Sequence, residues 1–239
     1  MRYLLGLALA LAACDSGSHG EPTSAPADQA ATPPTTADAA SAPSSQVRQK
    51  GRYAPRDECG KLADATAFRR KLADALIKGD ADAIAALAST DVKLGFGGDD
   101  GRERFLARLK DPDGELLAEM RQLLPLGCAV NSEGALTMPW YFAQDMGDID
   151  GYAATIVMGE DVPLHEKADA ASTVKQRISW DVVLLNDGLY PEREFQLVEA
   201  PDGAKGYMPT ARLRSLLDYR LLANREGEDW KITAIVAGD

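Results

Sequence analysis

From Asp15 to Gln46 the chain carries no valine, isoleucine, leucine, methionine or aromatic side chain; alanine, proline, serine and threonine make up most of it. Such a stretch cannot bury enough apolar surface to offset chain entropy, so residues 14–53 are expected to form a disordered tether. Its flexible reach is roughly 35 Å, and His19 within it reads as a solvated side chain. Any packed structure must be built from residues 54–239, which is ample for a core. Across the 239 residues, 26 basic side chains face 37 acidic ones, for a net charge of −11. That balance argues against nucleic acid as a partner, since phosphate binding needs a basic surface to displace counterions. Two histidines and three cysteines leave little material for metal sites or histidine-based catalysis.

The amino terminus reads as an address. Met1-Arg2 supplies a positive start, and Leu4 to Leu11 is an apolar run of eight residues. A membrane-spanning helix takes about 20 residues, so the run fits the core of a signal peptide, residues 1–13. Leu11-Ala12-Ala13-Cys14 resembles the lipobox of bacterial lipoproteins. The resemblance implies cleavage before Cys14 and acylation of its thiol and new amino group; the alternative is an ordinary secretory signal beside a chance cysteine. Several acyl chains anchor stably, at about 0.8 kcal/mol per buried methylene. The implied location is the cell envelope, lipid-anchored and facing the periplasm. Asp15 after the lipid cysteine resembles the enterobacterial signal for retention in the inner membrane.

The remainder reads as α+β. Phe68, Leu72, Ala75 and Leu76 recur at helical spacing behind Thr66, a candidate N-cap, and Gly79 would end that helix. Asp80 or Asp82 opens a second helix bearing Ile84 and Leu87. Val92, Leu94 and Phe96 alternate as an extended piece, and 97–101 is a turn. Helices follow around Phe105–Leu109 and Leu116–Leu124, giving a helical subdomain over 54–135. Beyond it the texture is strand-rich: 136–142, 152–158, 174–178, 180–185, 194–198, 219–222 and 230–236 are strand candidates. In the first of these, alternation would send Trp140 and Phe142 to one face and Tyr141 to the other. Short strands at this spacing suggest a small barrel or sandwich over 136–214, with a C-terminal hairpin over 215–239 packing on the helices.

Val162-Pro163-Leu164-His165, Ser172-Thr173-Val174, Trp180 to Val183 and Gly206-Tyr207-Met208 together resemble a bacterial SH3-like domain. The likeness spans about 55 residues, and His165 stands where that family commonly has arginine. It implies a small β-barrel that binds cell wall or an envelope protein partner. A second likeness, in Ala75 to Asp80, Ile84 to Leu87, Asp91-Val92, Phe96-Gly97-Gly98 and the closing 219–224 and 230–233, is to nuclear-transport-factor-2-like folds. It implies a cone-shaped domain holding a small apolar ligand, with or without weak enzyme activity.

Candidate chemistry is sparse. Cys59 and Cys128 remain once Cys14 is lipidated, and an even pair in an oxidising compartment is usually a disulfide. Two separate buried thiols are the alternative, and a cysteine nucleophile would have His165 alone as a base in the folded part. His165 itself reads as structural. Asp99, Asp100 and Glu103 match no calcium-loop spacing, and Asp145, Asp148, Asp150, Glu160 and Asp161 read as solvated loops. No metal or cofactor is expected. Trp180, Tyr190 and Tyr207 are the aromatics expected to line a ligand groove, Tyr190 and Tyr207 as exposed groups. The leading expectation is a non-catalytic lipid-anchored envelope protein; the alternative is the cone-shaped ligand binder.

Overall fold

The computed structural model describes residues 51–238, and Cys14, Asp15, His19, the signal segment and most of the expected tether lie outside them. The last residues assigned to the tether belong to the fold. Tyr53 is buried and its N–H donates to Trp180 O at 2.8 Å, because a large aromatic ring, unlike the polar run before it, gains by leaving water.

Along the chain come α1 (Ala65–Lys78), α2 (Ala81–Ala86), β1 (Ala88–Lys93), α3 (Arg102–Leu109) and α4 (Glu115–Leu123). Then follow β2 (Ala129–Val130), β3 (Leu136–Met138), β4 (Ala154–Val157), β5 (Val162–His165), β6 (Val174–Ile178) and β7 (Val182–Leu185). The rest are β8 (Phe195–Glu199), β9 (Lys205–Pro209), β10 (Leu213–Ser215), β11 (Arg220–Glu226) and β12 (Asp229–Val236). The described residues are thus α+β, with four α-helices and two sheets.

Helix α1 buries Phe68, Leu72, Ala75 and Leu76 along one face and stops at Gly79, whose φ of 69° an L side chain adopts only at a cost. Its start is at Asp64, not Thr66, which lies inside the first turn. Asp80 caps α2 by accepting the Ala83 N–H at 2.9 Å. The first sheet runs β1-β12-β11-β3-β2, with β1 parallel to β12 and the other pairs antiparallel. Apolar side chains of α1 to α4, among them Leu72, Ile84, Phe105, Met120 and Leu123, meet Leu136, Met138, Leu221, Ile232 and Ile235 of the sheet in one core. At the edge of this core, where α1 meets β12, Phe68, Lys71, Leu87 and Trp230 help line a cleft of about 410 Å³.

Two expectations change here. Strand β3 pairs with β11, so residues 136–138 belong to the first sheet rather than to the strand-rich unit placed at 136–214. Residues 140–143 form a 3₁₀ turn, not a strand. Both Trp140 and Tyr141 are buried in a second cluster with Tyr53, Leu126, Ile156 and Val182, which a strand's alternation would forbid.

The second sheet runs β10-β4-β7-β8-β9-β5-β6, every pair antiparallel. All seven strands contribute to its own core, through Val157, Val162, Leu164, Ile178, Val183, Val198, Met208 and Leu213. The sheet therefore curls around that core, yet its ladder does not close: β10 and β6 are its two edges. The small barrel or sandwich expected of this segment takes the form of a rolled sheet whose ladder stays open. Arg214 of β10, only 5% exposed, reaches Asp218 at 3.1 Å and Glu119 of α4 at 3.9 Å, and donates to Tyr219 O at 3.1 Å. This buried cation ties the second sheet to the helical half.

Candidate functional site

Strands β8 and β9 position the site. Val198 and Met208 point into the core of the rolled sheet, so alternation turns Phe195, Leu197 and Tyr207 to the opposite face. Leu197 and Tyr207 are direct cross-strand partners, and His165 of β5 is paired with Tyr207 from the other side. Phe195, Leu197 and Tyr207, with Ala168, Asp187, Arg193 and Glu194, line a cleft of about 490 Å³, within the usual range for small-molecule sites.

Gly206 explains why β9 can lie so close. A Cβ there would stand 2.6 Å from His165 O and 2.8 Å from the Leu164 side chain. The Gly206-Tyr207-Met208 sequence thus combines close backbone approach, an outward aromatic and an inward core residue.

The loop from 186 to 194 forms the rim, held by one buried amide. Gln196, 1% exposed, donates through Nε2 to Tyr190 O at 2.6 Å and to Thr210 Oγ1 at 2.9 Å. Its Oε1 accepts the Tyr190 N–H at 3.3 Å, and Thr210 in turn donates to Arg193 O. The guanidinium of Arg193 lies 3.7 Å from the Tyr190 ring centroid and pairs with Asp187 at 3.1 Å. Cation–π stacking of this kind contributes about 0.5–1 kcal/mol at exposed sites. The result is an apolar floor under a rim carrying both signs of charge, suited to a ligand with an apolar body and polar ends.

The groove expected from Trp180, Tyr190 and Tyr207 is only partly assembled. Tyr207 lines the cleft, and Tyr190 sits at its rim beneath Arg193; both are half-buried rather than fully exposed. Trp180 lies elsewhere. It occupies a left-handed turn with φ 43° and packs against the Tyr53–Trp140 cluster. Arg193, Phe195, Leu197 and Gln196 were not anticipated. The alternation Phe195-Gln196-Leu197, with an amide between two apolar residues, is the signal that marks the last three; Arg193 carries none.

The other candidates resolve into structural roles. His165 is 4% exposed, donates from Nδ1 to Ser172 O at 3.2 Å and meets the Phe195 ring edge-on at 5.8 Å. Cys59 and Cys128 are both fully buried with sulfurs at bonding distance, 1.91 Å, across a sequence separation of 69. Asp99 pairs with Arg104 at 2.7 Å and Asp100 with Lys93 at 2.8 Å, and these contacts neutralise the acidic turn. Asp145 and Asp150 accept backbone N–H groups of Gly147 and Tyr152. Among the described residues no group of three or more His, Cys, Asp or Glu could hold a metal ion. No described helix is long and apolar enough to cross a membrane.

No protein-family model matches the chain, and no curated protein matches it. Among solved structures, a similar chain is the putative calcium/calmodulin dependent protein kinase II association domain from Xanthomonas campestris. It is 11% identical, covers 77% of this chain and 95% of its own, and superposes with a TM-score of 0.28. At that level the likeness carries no argument about fold or function.

Proposed function

We propose that this chain is a lipid-anchored cell-envelope protein without catalysis, and that its SH3-like second sheet binds cell wall or an envelope protein partner in the Tyr207 cleft. The observation that carries the reading is the cleft itself: an outward apolar floor of Phe195, Leu197 and Tyr207 under a rim fixed by a buried glutamine. Such an aromatic-lined groove on a small rolled sheet suits an extended peptide or a glycan-linked one. A binding role is supported further by the lining, which contains no serine, cysteine or histidine and whose one arginine is paired with Asp187. Anchoring rests on Leu11-Ala12-Ala13-Cys14 and the apolar run before it.

Co-sedimentation of the protein with purified cell-wall sacculi tests the reading. Wild type should pellet and Tyr207→Ala should remain in the supernatant. Equal behaviour of the two would remove this cleft as the site. Failure of wild type to pellet would remove the wall and leave a protein partner, to be sought by cross-linking through the rim. Anchoring is checked separately by metabolic labelling with a fatty acid, where Cys14→Ser should abolish incorporation.

A further inference from the structure

A second cleft, about 390 Å³, lies on the other face of the first sheet, away from the helices. Leu136 and Met138 of β3 and Leu221 and Ala223 of β11 point into the helix-packed core. Alternation therefore turns Thr137 and its cross-strand partner Leu222 the opposite way. The chain leaving β3 passes through the 3₁₀ turn and lays Phe142, Ala143, Gln144 and Asp145 along one wall, while Asn131 and Ser132 form another.

The polar groups of this cleft are only partly used. Thr137 is 1% exposed, yet its Oγ1 has no hydrogen-bond partner. Leaving a buried hydroxyl unpaired costs about 1–3 kcal/mol, and most such groups in folded proteins are paired. Asn131 Oδ1 accepts the N–H groups of Glu133 and Ala135 at 3.0 and 2.8 Å, which leaves its amide Nδ2 as a donor. Gln144 Nε2 donates to Trp140 O at 3.3 Å, which leaves its Oε1 to accept. Asp145 uses Oδ1 on the Gly147 N–H and keeps a second oxygen. Phe142 supplies an aromatic surface, with the Arg220 guanidinium 4.4 Å from its ring centroid.

We propose that this cleft is a binding site for a saccharide unit: the unpaired Thr137 hydroxyl, the spare Asn131, Gln144 and Asp145 groups and the Phe142 ring together match a hydroxylated ring. Interleaved donors and acceptors suit neighbouring hydroxyls, each of which gives one hydrogen bond and accepts another. The electron-rich aromatic face attracts the positively polarised C–H groups of a sugar ring. An extended peptide is disfavoured because β3 is paired on both edges, with β2 and β11, and offers no ladder. A phosphate is disfavoured because Asp145 is the charged residue among those lining the cleft. This inference does not depend on the Tyr207 cleft.

Saturation-transfer NMR on the full chain, kept in a detergent without a sugar headgroup, tests it. The probes are glucose, galactose, mannose, N-acetylglucosamine and their disaccharides, with adenosine and an acetylated amino-acid amide as controls. At least one saccharide should bind saturably and the controls should not. Thr137→Val keeps the β-branched shape and removes the hydroxyl. It should weaken binding about five- to tenfold, the equivalent of one hydrogen bond, with the melting temperature unchanged or raised. Phe142→Leu should weaken binding independently, so the test survives if one variant folds poorly, and the exposed Ile77→Ala should bind as wild type. Absence of binding by every saccharide, preference for a control, or wild-type affinity in both site variants would overturn the proposal.

Discussion

Gly206 has no room for a side chain, whereas Gly97 has nothing within 4 Å of where a Cβ would stand. Gly206→Ala should therefore lose about 1–3 kcal/mol of stability through overpacking against β5. Gly97→Ala should be neutral or slightly stabilising, because it narrows only the unfolded ensemble. Urea unfolding of the two variants checks both. Glu119 makes a different single-residue case. Burial, with Asp218 nearby, holds its carboxyl above the ordinary value, against the opposing pull of Arg214. A raised carboxyl value means that the native state binds the proton more readily than the unfolded chain, so this group's contribution falls as pH rises through that interval. Glu119→Gln should melt higher than wild type at neutral pH, and the difference should vanish as pH falls below the unfolded carboxyl value near 4.5. Asp57 has the opposite sign. The Arg69 hydrogen bond holds its carboxyl below the ordinary value, so its contribution is present above the unfolded value and lost in acid, modestly given its exposure.

At the scale of elements, the loop at 186–194 hangs on the Gln196 amide. Gln196→Leu would leave the Tyr190 carbonyl and N–H without their partners and take one donor from the Thr210 hydroxyl, and should cost about 1–3 kcal/mol. It should also speed amide hydrogen exchange in 189–193 while leaving α1 unchanged, which mass spectrometry can resolve. Elements with a long period were legible from the residues alone. Helix α1 is marked by Phe68, Leu72, Ala75 and Leu76, and β4, β7 and β12 by runs of apolar and β-branched residues. Shorter ones were not. Strand β2 has two residues and β10 three, too few to show any alternation. Strand β1 begins at Ala88, earlier than its apolar tail suggests, because an edge strand leaves Thr90 and Asp91 to solvent. The Trp140-Tyr141-Phe142 triplet has strand composition, yet tertiary burial of two neighbours selects a 3₁₀ turn. For the site, Tyr207 was legible from Gly206-Tyr207-Met208. Trp180 was misplaced because its left-handed turn, invisible in composition, aims it at the Tyr53–Trp140 cluster, and Arg193 was hidden because its stacking on Tyr190 depends on how the loop is tied.

Over the whole molecule, the Cys59–Cys128 bridge spans 69 positions and joins the segment before α1 to the start of β2. In the chain-entropy account a closure of this length contributes roughly 4 kcal/mol. Reduction should lower the urea midpoint substantially and steepen the slope, since the released unfolded chain exposes more surface, and Cys59→Ala/Cys128→Ala should be indifferent to reductant. The parallel pairing of β1 with β12 has a further consequence for a chain made from its amino terminus onward. The apolar faces of α1 to α4 emerge early, but β11 and β12, which cover them, are the last strands synthesised, and the whole second sheet comes in between. The rolled sheet has every strand it needs before the helical half does. A nascent chain that has emerged from the ribosome as far as residue 216 should therefore present protease-resistant β4 to β10 beside helices still open to a chaperone, and β11 and β12 act as the keystone that closes the arch.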